Sequence, residues 1–241
     1  MPKHVFFDLD KTLTVSRSTL LPDQQELFEK LCGSKDVIVV TGGSAEQIRE
    51  QITPRFDKKY YVLAQSGNHT IHKSGKELWR EALNVEQVAA VYAFVEQLKT
   101  DFGIVVKDEN DIVENRGAQI TYSVLGFHED KEKKYAFDPG DVKRAAALKK
   151  RSSEVEKLRS LGVAVEPAGT TSYNFILAGK HKGFNITRLL EHEGWKKKEC
   201  LYVGDALFPG GNDESVIGVI PTHAVKDPND TFGFIARELL H

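Results

Sequence analysis

The chain has 241 residues, 40% hydrophobic and 28% charged, enough apolar material for one large globular core or two modest ones. Its formal net charge of −2 supplies no global field for nucleic acid or an anionic membrane, and neither is expected as a partner. Two cysteines, Cys32 and Cys200, are too few for a disulfide framework and suit a reducing compartment. With no secretory-type leader among the first residues and no apolar run of membrane-spanning length, a cytoplasmic protein is expected.

Val5-Phe6-Phe7 is a short apolar run that ends at Asp8. Asp23-Gln24-Gln25-Glu26 has the look of a capped helix start, with Gly33 placed to close that helix. Val37–Val40 is a second apolar run, ending at Thr41-Gly42-Gly43, and Ser44-Ala45-Glu46-Gln47 has the spacing of a capping box. In the middle of the chain Val85, Val88, Ala89, Tyr92, Val95 and Leu98 recur at helical spacing. Ile104–Lys107 and Ile112–Asn115 are strand candidates joined by the turn-rich Asp108–Asp111. Gln119–Leu125 alternates, with Ile120, Tyr122 and Val124 on one face and Gln119, Thr121 and Ser123 on the other, the pattern of a half-buried antiparallel strand. Asp141–Leu161 reads as one long, charge-rich helix, and Val163–Glu166 and Tyr173–Leu177 as two further strands. Lys196-Lys197-Lys198 reads as a solvated loop before the third apolar run, Leu201-Tyr202-Val203, which ends at Gly204-Asp205.

Short continuous apolar runs separated by helices suit strands buried on both faces of a parallel sheet. The expected fold class is therefore α/β, a doubly wound, mostly parallel core formed by residues 1–81 and 179–241. An α+β domain is inserted at 82–178. Ligands of such sheets lie beyond the carboxyl ends of the strands, where each run leaves polar groups.

Asp8 and Asp10 sit two residues apart at a strand end and would repel unless a cation joins them; the oxygen-rich setting suits a hard divalent ion, Mg²⁺. Alternatively they are exposed acids of a turn. The Thr41 hydroxyl and the backbone of Gly42 and Gly43, beside a helix start, are placed to hold phosphate oxygens, or else form a simple turn. Lys182 opens a helix, where the macrodipole disfavours it unless anionic groups face it; alternatively it is a surface lysine among neighbouring basic residues. Asp205 and Asp213 are placed to complete an acidic metal site; Asp213 is equally suited to hold Lys182 or to cap the next helix.

In this order the pieces Phe7-Asp8-Leu9-Asp10-Lys11-Thr12-Leu13-Thr14, Val40-Thr41-Gly42-Gly43, Lys182 and Gly204-Asp205 with Asn212-Asp213 resemble the haloacid dehalogenase-like (HAD) phosphotransferase superfamily. The insert lies where that superfamily's C2-type caps sit. Lys11 stands where glycine is common. A closer resemblance is to the eukaryotic-type phosphomannomutases of the superfamily. Gly204–Asp213 looks like their loop almost throughout, Arg17 falls where they keep an arginine, and Glu114–Ser123 and Ser172 are similar to their cap. Phe127 stands at the place of a second cap arginine, Lys134 at the place of another, and Asn174 at the place of an aspartate.

The resemblance implies Mg²⁺-dependent phosphotransfer on a small phosphorylated sugar. Asp8 would be the nucleophile and Asp10 the acid and base, with Thr41 and Lys182 stabilising the phosphoryl oxygens. Asp8, the Asp10 carbonyl and Asp205 would hold Mg²⁺, with Asn212 and Asp213 close by. Arg17, Gly42, Gly43, Arg116, Thr121, Ser123, Lys134, Ser172 and Asn174 would bind substrate, Arg116 and Lys134 at a distant phosphate. It also points to a homodimer formed through the cap, and to a cap that closes by hinge motion near residues 80–84 and 178–182. A sugar-phosphate phosphatase with the same core residues is the alternative. A catalytically silent binding protein on the same fold is a third reading, and Asp-x-Asp glycosyl transfer, which leaves Lys182 and the Gly204–Asp213 loop without a role, a fourth.

Overall fold

The first apolar run forms strand β1 (His4–Asp8), all five residues of which are buried. In the computed structural model, which describes residues 1–240, this strand is followed by helix α1 (Pro22–Ser34) and strand β2 (Asp36–Val40). Pro22 starts α1 at the position where a missing N–H costs nothing, and the Gln24 side chain accepts from the Leu21 N–H at 3.0 Å. Gly33 lies inside this helix rather than closing it. The last turn ends where the Lys35 N–H donates to the Leu31 carbonyl and the chain turns extended into β2. Helix α2 (Ala45–Ile52) is capped by Ser44, whose hydroxyl accepts from the Gln47 N–H at 3.1 Å. Strands β3 (Tyr61–Ala64), β4 (His69–Ile71) and β5 (Glu77–Arg80) follow.

The chain from Glu81 to Gly179 forms a compact unit of its own. Helix α3 (Val85–Phe102) starts with a complete capping box between Asn84 and Gln87 and ends at Gly103 in the left-handed conformation. Its buried stripe runs through Val91, Phe94, Val95 and Leu98. Val85 is 88% exposed and Tyr92 also faces outward, so the apolar face is turned from the one the periodicity indicated. Ile104–Lys107 is not a strand. Val105 is 96% exposed, and the short strand β6 (Val113–Asn115) is already the sheet's edge. Strand β7 (Gln119–Ser123) pairs antiparallel with β6. Helix α4 (Lys131–Phe137), capped by Asp130, was not visible in the periodicity. The expected long helix is two, α5 (Val142–Lys150) and α6 (Ser152–Ser160), broken at Arg151. There the guanidinium turns aside to Asp101 of α3, with Nε donating at 2.7 Å. Strands β8 (Val163–Ala168) and β9 (Ser172–Leu177) complete a sheet of order β6-β7-β9-β8, entirely antiparallel. One face, with Ile120, Tyr122, Tyr173 and Phe175, packs on α3 and α6. The other is polar, yet Gln119, Thr121 and Ser123 are all buried, so β7 is not half-exposed as its alternation implied.

From Lys180 the chain rejoins the first unit. Helix α7 (Lys182–Glu193) is followed by strands β10 (Cys200–Gly204) and β11 (Thr222–Ala224) and helix α8 (Pro228–Phe234), which runs on as a wider turn to Leu239. The seven-stranded sheet has the order β11-β10-β1-β2-β3-β4-β5. Its first five strands are parallel, β4 pairs antiparallel with β3, and β5 pairs antiparallel with β4. Alternate residues of each central strand feed opposite layers. Val5, Phe7, Val37 and Val39 pack against α1, α2 and α8, while Phe6, Ile38 and Val40 pack against α7. This doubly wound arrangement leaves the carboxyl ends of β1, β2 and β10 side by side, with β1 in the middle. Among the described residues no helix is long and apolar enough to cross a membrane.

Candidate active site

Asp8 is the last residue of β1 and is 3% exposed. Lys182, the first residue of α7, reaches it with Nζ donating to Asp8 Oδ1 at 2.5 Å and to Asp213 Oδ1 at 2.7 Å. The helix comes this close because residue 183 is glycine: a Cβ there would run into the Ser215 carbonyl of the loop that carries Asp213. Tyr202, on β10, donates its hydroxyl to Asp213 Oδ1 at 2.6 Å. Asp205, just past β10, donates its N–H to the Thr12 hydroxyl at 3.1 Å. Asp8, Asp205 and Asp213 offer oxygens that all lie within 4.8 Å of one another.

The electrostatics follow from this crowding. Burial pushes the Asp8 carboxyl up most, Lys182 opposes it, and Asp213 and Asp205 add to the rise, leaving it at about 7. Burial and Asp213 raise Asp205 as well. Burial alone would lower the Lys182 ammonium, but Asp8 and Asp213 outweigh it and hold it above its ordinary range. Three carboxylates facing one ammonium leave two negative charges in excess when all are ionised. A hard divalent cation with oxygen ligands cancels that excess, so the donor set fits Mg²⁺.

Asp10 is held apart from this cluster. Its Oδ2 accepts from Gln47 Nε2 at 3.1 Å, and its Oδ1 from Gln51 Nε2 at 3.2 Å and from the Arg17 N–H at 3.0 Å. Any share of Asp10 in a metal site thus falls to its backbone carbonyl rather than its carboxylate. Arg17 meets the site through its backbone, in a positive-φ turn, and its side chain is exposed. Thr41 is buried at the end of β2, and its hydroxyl accepts from the Gly43 N–H at 3.1 Å. That N–H is therefore already used, while the Thr41 O–H remains available as a donor. The Thr41-Gly42-Gly43 turn is tied to a left-handed bend at Gln65 and Ser66, whose N–H groups donate to the Gly43 and Thr41 carbonyls. Buried Asn68 and Asn185 hold that bend by donating to the Gln65 and Ser66 carbonyls. Asn212 is exposed.

In the inserted unit, Thr121 and Asn174 face each other across β7 and β9, with the Thr121 hydroxyl donating to Asn174 Oδ1 at 3.0 Å. Gln119 donates to both. Ser123 pairs with Ser172 in register and its hydroxyl lies 3.1 Å from that of Thr171. Arg116 Nη2 donates to Glu114 at 2.6 Å, and Lys134 Nζ donates to the Phe127 carbonyl at 2.8 Å. Both cations read as a phosphate grip thus have partners within their own unit.

Thr12, Gln47, Gln51 and Tyr202 belong to the site and escaped the sequence reading. Gln47 and Gln51 carried a signal, four residues apart on one helix directly after the phosphate-type turn. Tyr202 was concealed inside an apolar run.

A doubly wound sheet with an aspartate pair at the end of its central strand, a lysine from a following helix and an aspartate-bearing loop after the adjacent strand defines a HAD-type site. A family model for haloacid dehalogenase-like hydrolases matches residues 5–217, and the chain belongs to that family. The chain is 28% identical to a phosphomannomutase of Triticum aestivum over 232 residues, covering 93% of this chain and 90% of that protein. It is 25% identical to phosphomannomutase 1 of Dictyostelium discoideum over 238 residues, covering 96% and 94%. Among solved structures it is similar in fold to a haloacid dehalogenase-like hydrolase from Bacteroides thetaiotaomicron, with a TM-score of 0.70 at 16% identity, covering 98% and 99% of the two chains. It is also similar to an IMP-nucleotidase of Plasmodium falciparum, with a TM-score of 0.68 at 14% identity, covering 98% and 67%. The protein is an enzyme of the HAD phosphotransferase or phosphatase type.

Proposed function

We propose that the chain is a cytoplasmic, Mg²⁺-dependent phosphotransferase that carries the phosphoryl group of a sugar phosphate on Asp8, most like a phosphomannomutase. One observation carries the reading: two carboxylates two residues apart have opposite surroundings. Asp8 is buried against an ammonium and two acids, while Asp10 is held separately by three N–H donors. Divergent environments are how one site divides nucleophile from acid and base.

Asp8 attacks phosphorus, forming the aspartyl-phosphate bond as the phosphorus–sugar oxygen bond breaks. Asp10 gives its proton to the departing sugar oxygen. It then takes a proton from the acceptor hydroxyl, which attacks phosphorus and frees Asp8. Lys182 and the Thr41 hydroxyl donate to the equatorial oxygens, where negative charge spreads. Asp8, the Asp10 carbonyl and Asp205, with Asp213 close by, would hold Mg²⁺, which offsets the charge that keeps a carboxylate from a phosphate. The polar row of buried Thr121 and Ser123 and half-buried Ser172 and Asn174 is read as the sugar-recognition surface of the cap.

The alternative acceptor is water. It is favoured by Glu114 on Arg116 and by the Phe127 carbonyl on Lys134, since both partners compete with a second phosphate for these cations. Phosphorus NMR of the enzyme with Mg²⁺, mannose 1-phosphate and a trace of hexose 1,6-bisphosphate tests the choice. Mannose 6-phosphate as product supports the mutase. Inorganic phosphate assigns the phosphatase, and an unchanged spectrum rejects both.

A further inference from the structure

We infer that Gln47 and Gln51 are positioning residues that fix which oxygen of Asp10 handles the proton. The inference rests on Asp10 being the acid and base. The two glutamines lie four residues apart on one face of α2 and interlock, with Gln47 Nε2 donating to Gln51 Oε1 at 2.9 Å. Gln51 is 3% exposed, and its amide is held in one sense because Nε2 also donates to the Thr14 hydroxyl at 2.7 Å. That hydroxyl in turn donates to the Leu9 carbonyl at 3.4 Å. Gln47 can lie across the turn after β2 because residue 43 is glycine: a Cβ there would overlap the Gln47 amide. Its side chain thus leaves the expected capping box and reaches Asp10 instead.

The two carboxylate oxygens are served unequally. Oδ1 receives two donors, Gln51 Nε2 and the Arg17 N–H, which fill its in-plane lone pairs. Among the described residues Oδ2 receives only Gln47 Nε2 and keeps one lone pair. The clamp therefore assigns the proton to Oδ2 and stops the carboxyl from rotating, so that the same lone pair meets the leaving and the incoming oxygen. Glutamine serves here because it is a neutral donor. A lysine would bring a charge and a glutamate would offer acceptors to a carboxylate.

The test compares kcat/KM for two substrates. 4-Nitrophenyl phosphate expels a phenolate that needs no proton, whereas mannose 1-phosphate expels a sugar oxygen that does. Gln47→Ala and Gln51→Ala are expected each to lower kcat/KM for mannose 1-phosphate by about 10- to 100-fold, part of what general acid catalysis contributes, and to leave the aryl phosphate nearly untouched. Gln51→Glu keeps the size of the side chain but removes the donor, so the folded variant should show the same selective loss, with a lowered melting temperature because a second carboxylate is buried against Asp10. Equal losses on both substrates by a folded Gln51→Glu, or no loss on either by all three variants, would overturn the inference. Asp10→Asn judges the underlying reading separately. An unchanged ratio of the two substrates in that variant rejects Asp10 as the acid, while a selective loss on mannose 1-phosphate leaves the glutamines to be judged by their own substrate ratios.

Discussion

At the scale of single residues, the site is governed by which charges are buried together. Removing the Lys182 ammonium leaves Asp8, Asp205 and Asp213 without their cation, and strips the phosphoryl oxygens of a preorganised donor. Lys182→Met is expected to lower kcat by about 10²–10³-fold or more, measured as phosphate transfer or release. Lys11 is a different case. It holds a φ of 62°, a conformation that L-residues adopt at a cost, at the position where glycine is common in the family it resembles. Lys11→Gly relieves that cost but adds freedom to the unfolded chain, so a net gain of about 0.5–1 kcal/mol is expected in urea unfolding. The sequence showed Asp8, Asp10, Lys182, Asp205 and Asp213 because their spacing and strand contexts are local. It did not show Tyr202, whose ring reads as one more apolar strand residue, nor the second use of Gln47. The Ser44 spacing marked the helix start correctly through Ser44, but the Gln47 side chain was taken by a carboxylate 37 positions away.

At the scale of elements, the inserted unit turns on Arg144, which was equally silent in the sequence. It is fully buried on α5. Nε donates to Asp138, Nη1 to the Ala168 and Ser172 carbonyls, and Nη2 to Asp141 and the Gly169 carbonyl. One side chain thereby pins the hairpin between β8 and β9, next to Ser172. Arg144→Met leaves the buried Asp138 carboxylate without its charged partner and is expected to destabilise the fold by about 3–5 kcal/mol in urea unfolding. Asp141→Asn touches a half-exposed partner and should cost less than about 1 kcal/mol. The break between α5 and α6 was illegible for a related reason. The helical pattern continues through Arg151, and only the distant Asp101 gives that residue a reason to turn. Arg151 and Lys150 hold the Asp101 carboxyl down to about 2. Because its folded value is depressed, its contribution is present above about pH 4 and is lost as the pH falls toward 2. Asp101→Asn should flatten the acid side of the stability curve across that window, measured by urea unfolding at stepped pH. The strand Ile104–Lys107 failed because β propensity without a pairing partner does not make a strand.

At the scale of the whole molecule, folding and the metal site are linked through protons. Asp8 is raised to about 7, so in the metal-free protein its protonated form is the one the fold favours. That contribution is full below the unfolded value near 4 and is lost as the pH rises through 7. Mg²⁺ held by this cluster, as proposed, would replace the proton, and its binding should tighten as the pH rises through 7. The thermal shift produced by millimolar Mg²⁺ is therefore expected to be larger at pH 8 than at pH 6, and to shrink in Asp205→Asn. A shift independent of pH would place the ion elsewhere. The doubly wound, mostly parallel sheet was legible because strands buried on both faces read as unbroken apolar runs. The antiparallel extension β4–β5 was not, since short edge strands carry little pattern.

The most direct measurement is to trap the phosphoenzyme. Enzyme with Mg²⁺ and mannose 1-phosphate is quenched in acid, reduced with borohydride so that an aspartyl-phosphate becomes homoserine, and sequenced by mass spectrometry. Homoserine at position 8, absent from Asp8→Asn and from enzyme quenched without substrate, is the predicted result. Turnover of the sugar phosphate without any modification at residue 8, or with homoserine at another aspartate, would contradict the account.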